Sequence, residues 1–206
     1  RDAGVRRFVY ASSSSVYGDS PTLPKVETLP TRPLSPYATA KLTGENYSSV
    51  FYKVFGMETI SLRYFNIFGP HQNPRSQYAA AIPAFVTAIL KDQPPTIYGD
   101  GEQSRDFTYV DNVVEANLLA AGAKKTEGDA INTATGSAVT INQVVGMINQ
   151  LTGKDIKPVY THPRPGDVKH SLADISLAGR LIGYEPKVSF RQGLEKSIEW
   201  YRDNLL

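Results

Sequence analysis

A helix that announces both of its own ends, set between two short apolar segments, constrains this chain more than any other feature. Ser35 is an N-cap residue followed by Pro36 at the first helical position, and Gly56 closes a run that reaches Phe55. Residues 6–11, ahead of it, alternate basic and apolar before turning apolar, and residues 57–63, behind it, are apolar; both read as buried strands. Alternation of this kind predicts an α/β protein with a parallel sheet and a smaller α+β lobe. The right-handed crossover rule is compatible with a doubly wound core.

The rest of the chain continues the alternation. Residues 19–36 hold Pro21, Pro24, Pro30, Pro33 and Pro36, and are predicted to be a surface loop. Helices are expected over 78–91, from an Asp111 cap to about 121, from a Thr140 cap to about 151, from an Asp174 cap to Ile182 before Gly183, and over 190–204. Short strands are expected at Thr96–Tyr98 and 107–110, with a third main strand at 130–133. Residues 1–75, with strand 130–133 returning to them, form the expected core, and 76–206 are mainly the smaller lobe.

Composition removes several classes of function. With 206 residues the chain can bury one sizeable core, or one core and a small appended lobe. Its net charge of +2, from scattered basic residues, argues against nucleic acid. No apolar run approaches membrane length, so no membrane partner is expected. No signal-peptide pattern opens the chain, and the absence of cysteine fits a reducing compartment, so a cytoplasmic location is expected. His71, His162 and His170 are isolated, and no spacing predicts a metal site.

The chemistry concentrates in Tyr37-Ala-Thr-Ala-Lys41, downstream of the run Ser12-Ser13-Ser14-Ser15. A tyrosine four places before a lysine shares its face of a helix. A nearby ammonium favours tyrosinate, which suits the tyrosine to act as a base. A serine at the adjoining strand end can relay the proton and hold a substrate oxygen. Together these groups are suited to take a proton from an alcohol while a hydride leaves its carbon.

Four segments widen the pattern: 8–18 (FVYASSSSVYG), 35–41 (SPYATAK), 62–70 (LRYFNIFGP) and 104–111 (SRDFTYVD). In this order they resemble the extended short-chain dehydrogenases/reductases, and among them the NAD-dependent nucleotide-sugar 4-epimerases. The resemblance implies a Rossmann-type core, an NAD cofactor and a UDP-sugar substrate. The sugar would pass through a bound 4-keto form, with the hydride returned to the opposite face. It implies Tyr37 as the catalytic base and acid, Lys41 as its electrostatic partner and ribose contact, and Ser13, three places before Val16, as the third catalytic residue. Ser14 is a possible helper on the substrate side.

Tyr64 would lie near the nicotinamide, although Tyr64 and Phe65 read equally well as core aromatics. Asn66 would contact the sugar or diphosphate. Arg105 and Arg164 are the implied diphosphate clamps, planar and bidentate as phosphate requires; Asp106 offers Arg105 a plain ion-pair alternative. Tyr98 lies in the segment that would pack on uracil, and Asp167 would accept from the nucleotide ribose. Ala79 and Ala80 replace asparagines of some members, which leaves only backbone contacts there. Ser171 stands where galactose-only epimerases carry a tyrosine; the smaller side chain widens the pocket and implies acceptance of UDP-N-acetylglucosamine alongside UDP-glucose.

The glycine fingerprint of a dinucleotide site is missing. Gly99-Asp-Gly101 is followed by Ser104 in the third place, inside a turn. A preceding segment of roughly one hundred residues carrying that fingerprint is therefore expected from the family. Without it the first two strands would present an unpaired edge, and self-association or a homodimer is expected. Epimerase activity of this stretch alone is then in question. Two alternatives remain open: a promiscuous esterase using Ser13, Tyr37 and Lys41, and a UDP-sugar-binding fragment without catalysis.

Overall fold

The computed structural model describes residues 1–73, 81–164 and 168–205. The chain enters through strand β1 (Arg7–Ser13), a 3-10 turn (Ser14–Tyr17) and helix α1 (Pro36–Phe55), then returns as β2 (Glu58–Tyr64). The α1 boundaries follow from its ends. The Ser35 hydroxyl accepts from the Ala38 N–H at 3.1 Å, and Gly56, at φ 66°, takes the left-handed turn that other residues resist. β3 (Ile67–Phe68), α2 (Ala81–Leu90), β4 (Thr96–Tyr98), β5 (Ser104–Arg105) and β6 (Thr108–Tyr109) lead to α3 (Val110–Gly122). β7 (Asp129–Thr133), β8 (Val139–Thr140), α4 (Ile141–Thr152), β9 (Val159–Thr161), α5 (Ser176–Ile182) and α6 (Phe190–Leu205) complete it.

The main sheet is parallel, in the order β1-β2-β7. Its register aligns Ser13 with Tyr64, and Tyr64 with Thr133, so three strands reach their carboxyl ends in one row. Helix α1 covers one face; α3 and α5 cover the other, as a doubly wound sheet requires. The two faces differ in chemistry. Ile60, Leu62 and Ile131 pack against Ala116, Ala120, Ala178 and Ile182 of α3 and α5. Towards α1 the same strand turns Thr59, Ser61 and Arg63, all buried. The strand expected at 57–63 is thus present, but only half of it is buried by apolar content. A second core lies among α2, α4 and α6, with Phe68, Phe107 and Tyr109 between them.

Three expectations shift. The Thr140 cap stands as predicted, with a full capping box to Gln143. Asp111 does not cap α3; that helix starts at Val110, directly off β6, and Asp111 lies in its first turn, where its charge opposes the helix dipole favourably. Ile175 takes the cap position of α5, while the Asp174 carboxylate accepts from the Ser176 N–H at 2.8 Å. The proline-rich loop is not wholly superficial either. Lys25 forms a bridge to Ala173, its N–H donating to Leu172 O at 2.7 Å and its carbonyl accepting from the Asp174 N–H at 2.9 Å. Of the alanine positions singled out in the sequence, Ala79 and Ala80 lie outside the described residues, as does Asp167. Among the described residues no helix is long and apolar enough to cross a membrane.

Candidate active site

The carboxyl ends of β1 and β2, the start of α1 and the segment 168–171 enclose a cleft of about 610 Å³, within the range of small-molecule sites. Ser13, Ser14, Tyr37, Tyr64, Asn66, Arg105 and Ser171 line it together. A neighbouring cavity of about 470 Å³ carries Tyr98 and Arg164, and shares Asn66 and Arg105 with the first. Residues up to 158 positions apart in sequence are thus gathered where open α/β sheets hold ligands (Ser13 to Ser171).

Helix α1 sets the reactive pair. Tyr37 is 58% exposed towards the cleft. Lys41, one turn on, donates from Nζ to the Ala11 carbonyl of β1 at 2.8 Å. Its ammonium stands 5.6 Å from the Tyr37 ring centre and 5.5 Å from that of Tyr10, between two π faces. Ser13 caps the 3-10 turn. Its hydroxyl oxygen accepts from the Ser15 N–H at 3.2 Å and from the Ser15 hydroxyl at 3.0 Å. No hydrogen bond joins Ser13 to Tyr37 among the described residues. They share the cleft rather than a contact.

A buried polar lattice fixes α1 against the sheet. Glu45 lies eight residues after Tyr37 and four after Lys41, on the same face. Arg63 holds it with two bonds, Nε to Oε1 at 2.9 Å and Nη2 to Oε2 at 2.7 Å. The Ser12 hydroxyl donates to the same carboxylate at 2.5 Å. Arg63 also donates to the Tyr17 hydroxyl at 2.9 Å, which donates onward to Asn132 at 2.7 Å. Burial works against the Arg63 charge, but its bonds to Glu45 and the influence of Tyr17 outweigh that and hold its pKa above the ordinary value. Burial also raises Tyr17, with Arg63 opposing it.

On the substrate side, Arg105 donates to the carbonyls of Ser104 at 2.9 Å and Lys169 at 3.1 Å, which orients its guanidinium at the cleft wall. Arg164 stacks over the Tyr98 ring at 3.9 Å. Asp106 faces inward and accepts from the Thr135 N–H (2.9 Å), the Thr135 hydroxyl (2.7 Å), the Gly136 N–H (3.0 Å) and the Ala173 N–H (3.3 Å). Burial nevertheless raises its pKa, these bonds only partly offsetting it. Its carboxylate serves to fasten the 134–136 turn to residue 173. Ser171 is set by its N–H donating to Ser104 O at 3.0 Å. Tyr64 turns its hydroxyl away from the cleft, to Asn117 at 3.0 Å, and burial raises its pKa. Tyr64 thus lines the cleft while its hydroxyl is engaged by Asn117 of α3.

Residues 1–134 match the NAD dependent epimerase/dehydratase family. The chain belongs to that family. Among curated members, the UDP-glucuronate 4-epimerase of Thermodesulfobacterium geofontis is 36% identical over 210 residues, spanning all of this chain and 62% of that protein. The UDP-N-acetylglucosamine 4-epimerase of Methanobrevibacter ruminantium, solved with UDP-N-acetylmuramic acid, superposes with a TM-score of 0.94 at 41% identity. The alignment covers 98% of this chain and 64% of that one. The UDP-glucose 4-epimerase of Thermotoga maritima, solved with UDP-glucose, gives 0.94 at 38%, covering 100% and 66%. The chain thus spans just under two thirds of the length of these epimerases. Its α/β sheet, with helices on both faces, is the arrangement the sequence predicts.

Proposed function

We propose that this chain carries the sugar-binding and proton-transferring part of an NAD-dependent UDP-hexose 4-epimerase. One observation carries the proposal: Ser13, Tyr37, Asn66, Arg105 and Ser171 converge on a single cleft at the strand ends, with Lys41 held beside Tyr37. Tyr37 takes the proton of the sugar 4-hydroxyl, and Ser13 holds that oxygen at the end of β1. Lys41, anchored on Ala11 O, keeps positive charge next to the phenol while the proton moves. Arg105 and Arg164 hold the diphosphate, Tyr98 and Asn66 the rest of the nucleotide sugar, and Asp167 the ribose. Ser171 leaves room for a 2-acetamido group, so UDP-N-acetylglucosamine is accepted alongside UDP-glucose.

The residues fit the nicotinamide-ribose end of the cofactor. An exposed phenol and an ammonium sit side by side, next to β1, the outer strand of the main sheet among the described residues. NAD, when bound, would supply the hydride acceptor, and the proton of the sugar 4-hydroxyl is moved by Tyr37. No Gly-x-Gly-x-x-Gly sequence is present to hold the remaining diphosphate of the dinucleotide. We therefore assign chemistry to residues 1–75 with strand 129–133, and nucleotide-sugar binding mainly to 76–206. The open β1 edge supports self-association. A serine-nucleophile reading is not favoured, because Ser13 accepts from Ser15 and has no bond to Tyr37.

The test is 4-epimerisation of UDP-N-acetylglucosamine with added NAD⁺, read as the gluco-to-galacto ratio by NMR. Turnover that disappears in Tyr37→Phe supports the assignment. Turnover unchanged by Tyr37→Phe refutes it. UDP binding without turnover favours the binding-fragment alternative.

A further inference from the structure

Lys25 is a charged residue that neither the catalytic assignment nor the diphosphate contacts use. It is 3% exposed, yet it lines the cleft alongside Ser13, Tyr37 and Ser171. An ammonium carries three donors and is costly to bury without a counter-charge. Here its Nζ donates to the Ser20 carbonyl, and among the described residues it makes no ion pair. Asp19, the acidic residue whose charge it feels, is exposed and beyond ion-pair distance. Burial lowers the Lys25 pKa, so the positive form is held against a desolvation penalty that an anion in the cleft would relieve.

The backbone beneath this side chain is pinned. Lys25 is tied to Leu172 and Asp174, and its carbonyl also accepts from the Asn132 amide at 2.9 Å. It therefore stands beside the segment that presents Ser171, while Arg105 lines both this cleft and the neighbouring cavity that carries Arg164. A cation at Lys25 in addition to the Arg105 and Arg164 pair suits a ligand that carries a further anionic group besides its diphosphate.

We propose that Lys25 is a specificity-determining residue that accepts a carboxylate carried on the hexose of the nucleotide sugar. The inference rests on the nucleotide-sugar reading of the cleft and names the substrate class: hexoses bearing an acid, with or without a 2-acetamido group. Neutral hexoses fit the same cleft but leave the Lys25 charge without a partner.

Calorimetric titration of the whole chain with UDP, UDP-glucose and UDP-glucuronate tests it. The wild-type chain should bind UDP-glucuronate at least about tenfold more tightly than UDP-glucose, the low end for a charge-assisted bond. Lys25→Met, which keeps the stem and removes the charge, should erase that preference. It should leave UDP and UDP-glucose within about twofold of wild type and should not lower thermal stability, since a buried charge is lost. Lys25→Arg should keep the preference. Equal binding of both sugars by the wild type overturns the inference and leaves the nucleotide-sugar reading standing. So does a Lys25→Met loss equal for UDP alone, which would move the residue to the diphosphate. Absence of binding to UDP itself overturns the reading of the cleft, and the inference with it.

Discussion

Removing Arg63 tests whether the lattice under α1 holds the helix or merely decorates it. Arg63 and Glu45 have side chains only 7% and 6% exposed, and two bonds join them. In Arg63→Met the Glu45 carboxylate stays buried with only the Ser12 hydroxyl, and the Tyr17 hydroxyl loses its donor. Leaving one partner of a buried pair uncompensated costs about 3–5 kcal/mol. Against a typical domain stability of about 5–15 kcal/mol, that is at least about a fifth of the total. Replacing both partners, Arg63→Met with Glu45→Leu, removes the stranded charge. It should return the protein to within about 1–2 kcal/mol of wild type, the residue being the Ser12 and Tyr17 bonds. Urea unfolding followed by far-UV circular dichroism measures each variant. A loss below about 1 kcal/mol in the single variant, or a double variant no better than the single, would refute the idea that the ion pair itself fastens α1.

Asp106→Asn should destabilise by about 1–3 kcal/mol at pH 7, because an amide nitrogen would face backbone donors. The Asp106 pKa is raised on folding, so its contribution falls as pH climbs out of the ordinary carboxylate range near about 4. The gap to the Asn variant should therefore widen towards lower pH; urea midpoints between about pH 4.5 and 7 that show a narrowing gap would contradict the sign. Gly193→Ala on α6 should destabilise by about 1–3 kcal/mol despite better helix propensity, since a Cβ would stand 2.7 Å from Tyr109 Cβ. Gly146→Ala on α4, with nothing within 4 Å, should stabilise by up to about 1 kcal/mol; thermal melts of opposite sign for the two are expected. Phe8, 46% exposed on the β1 edge and stacked on Tyr10, should support self-association. Sedimentation velocity should show Phe8→Lys shifted towards monomer, and a wild-type chain that is monomeric at high concentration would remove the proposal.

Legibility in the sequence tracked the range of the forces involved. Helix α1 is read to its last residue because Ser35, Pro36 and Gly56 act within one turn of its ends. The same holds for the Thr140 capping box and for Gly183 after α5. The two-residue strands β3, β5 and β8 escape, since no periodicity develops over two positions. The candidate site residues were visible as motifs, and the fold brings Ser13, Ser14, Tyr37, Tyr64, Asn66, Arg105 and Ser171 to one cleft with Tyr98 and Arg164 in the cavity beside it. Their supports were not. Nothing local to Glu45 in the sequence points to Arg63, eighteen positions on, which the fold places opposite it. Lys25, in a proline-rich stretch, gives no local sign that residues 172–174 will cover it. Asp106 looks like a partner for its neighbour Arg105 but belongs to a turn thirty positions away.

The aligned row Ser13, Tyr64 and Thr133 has a consequence for how the two walls of the cleft tolerate substitution. Those positions end parallel ladders of seven and five residue pairs, in which a slip of one residue would invert every buried side chain, so their register is tightly specified. The opposite wall hangs on pairings of one to three residues: β5 with β8, β4 with β9, and the single bridge from residue 25 to 173. Such short seams can be resewn by a few substitutions without disturbing the ladder. A chain built on this plan can change what its opposite wall holds while the row at the strand ends stays where it was.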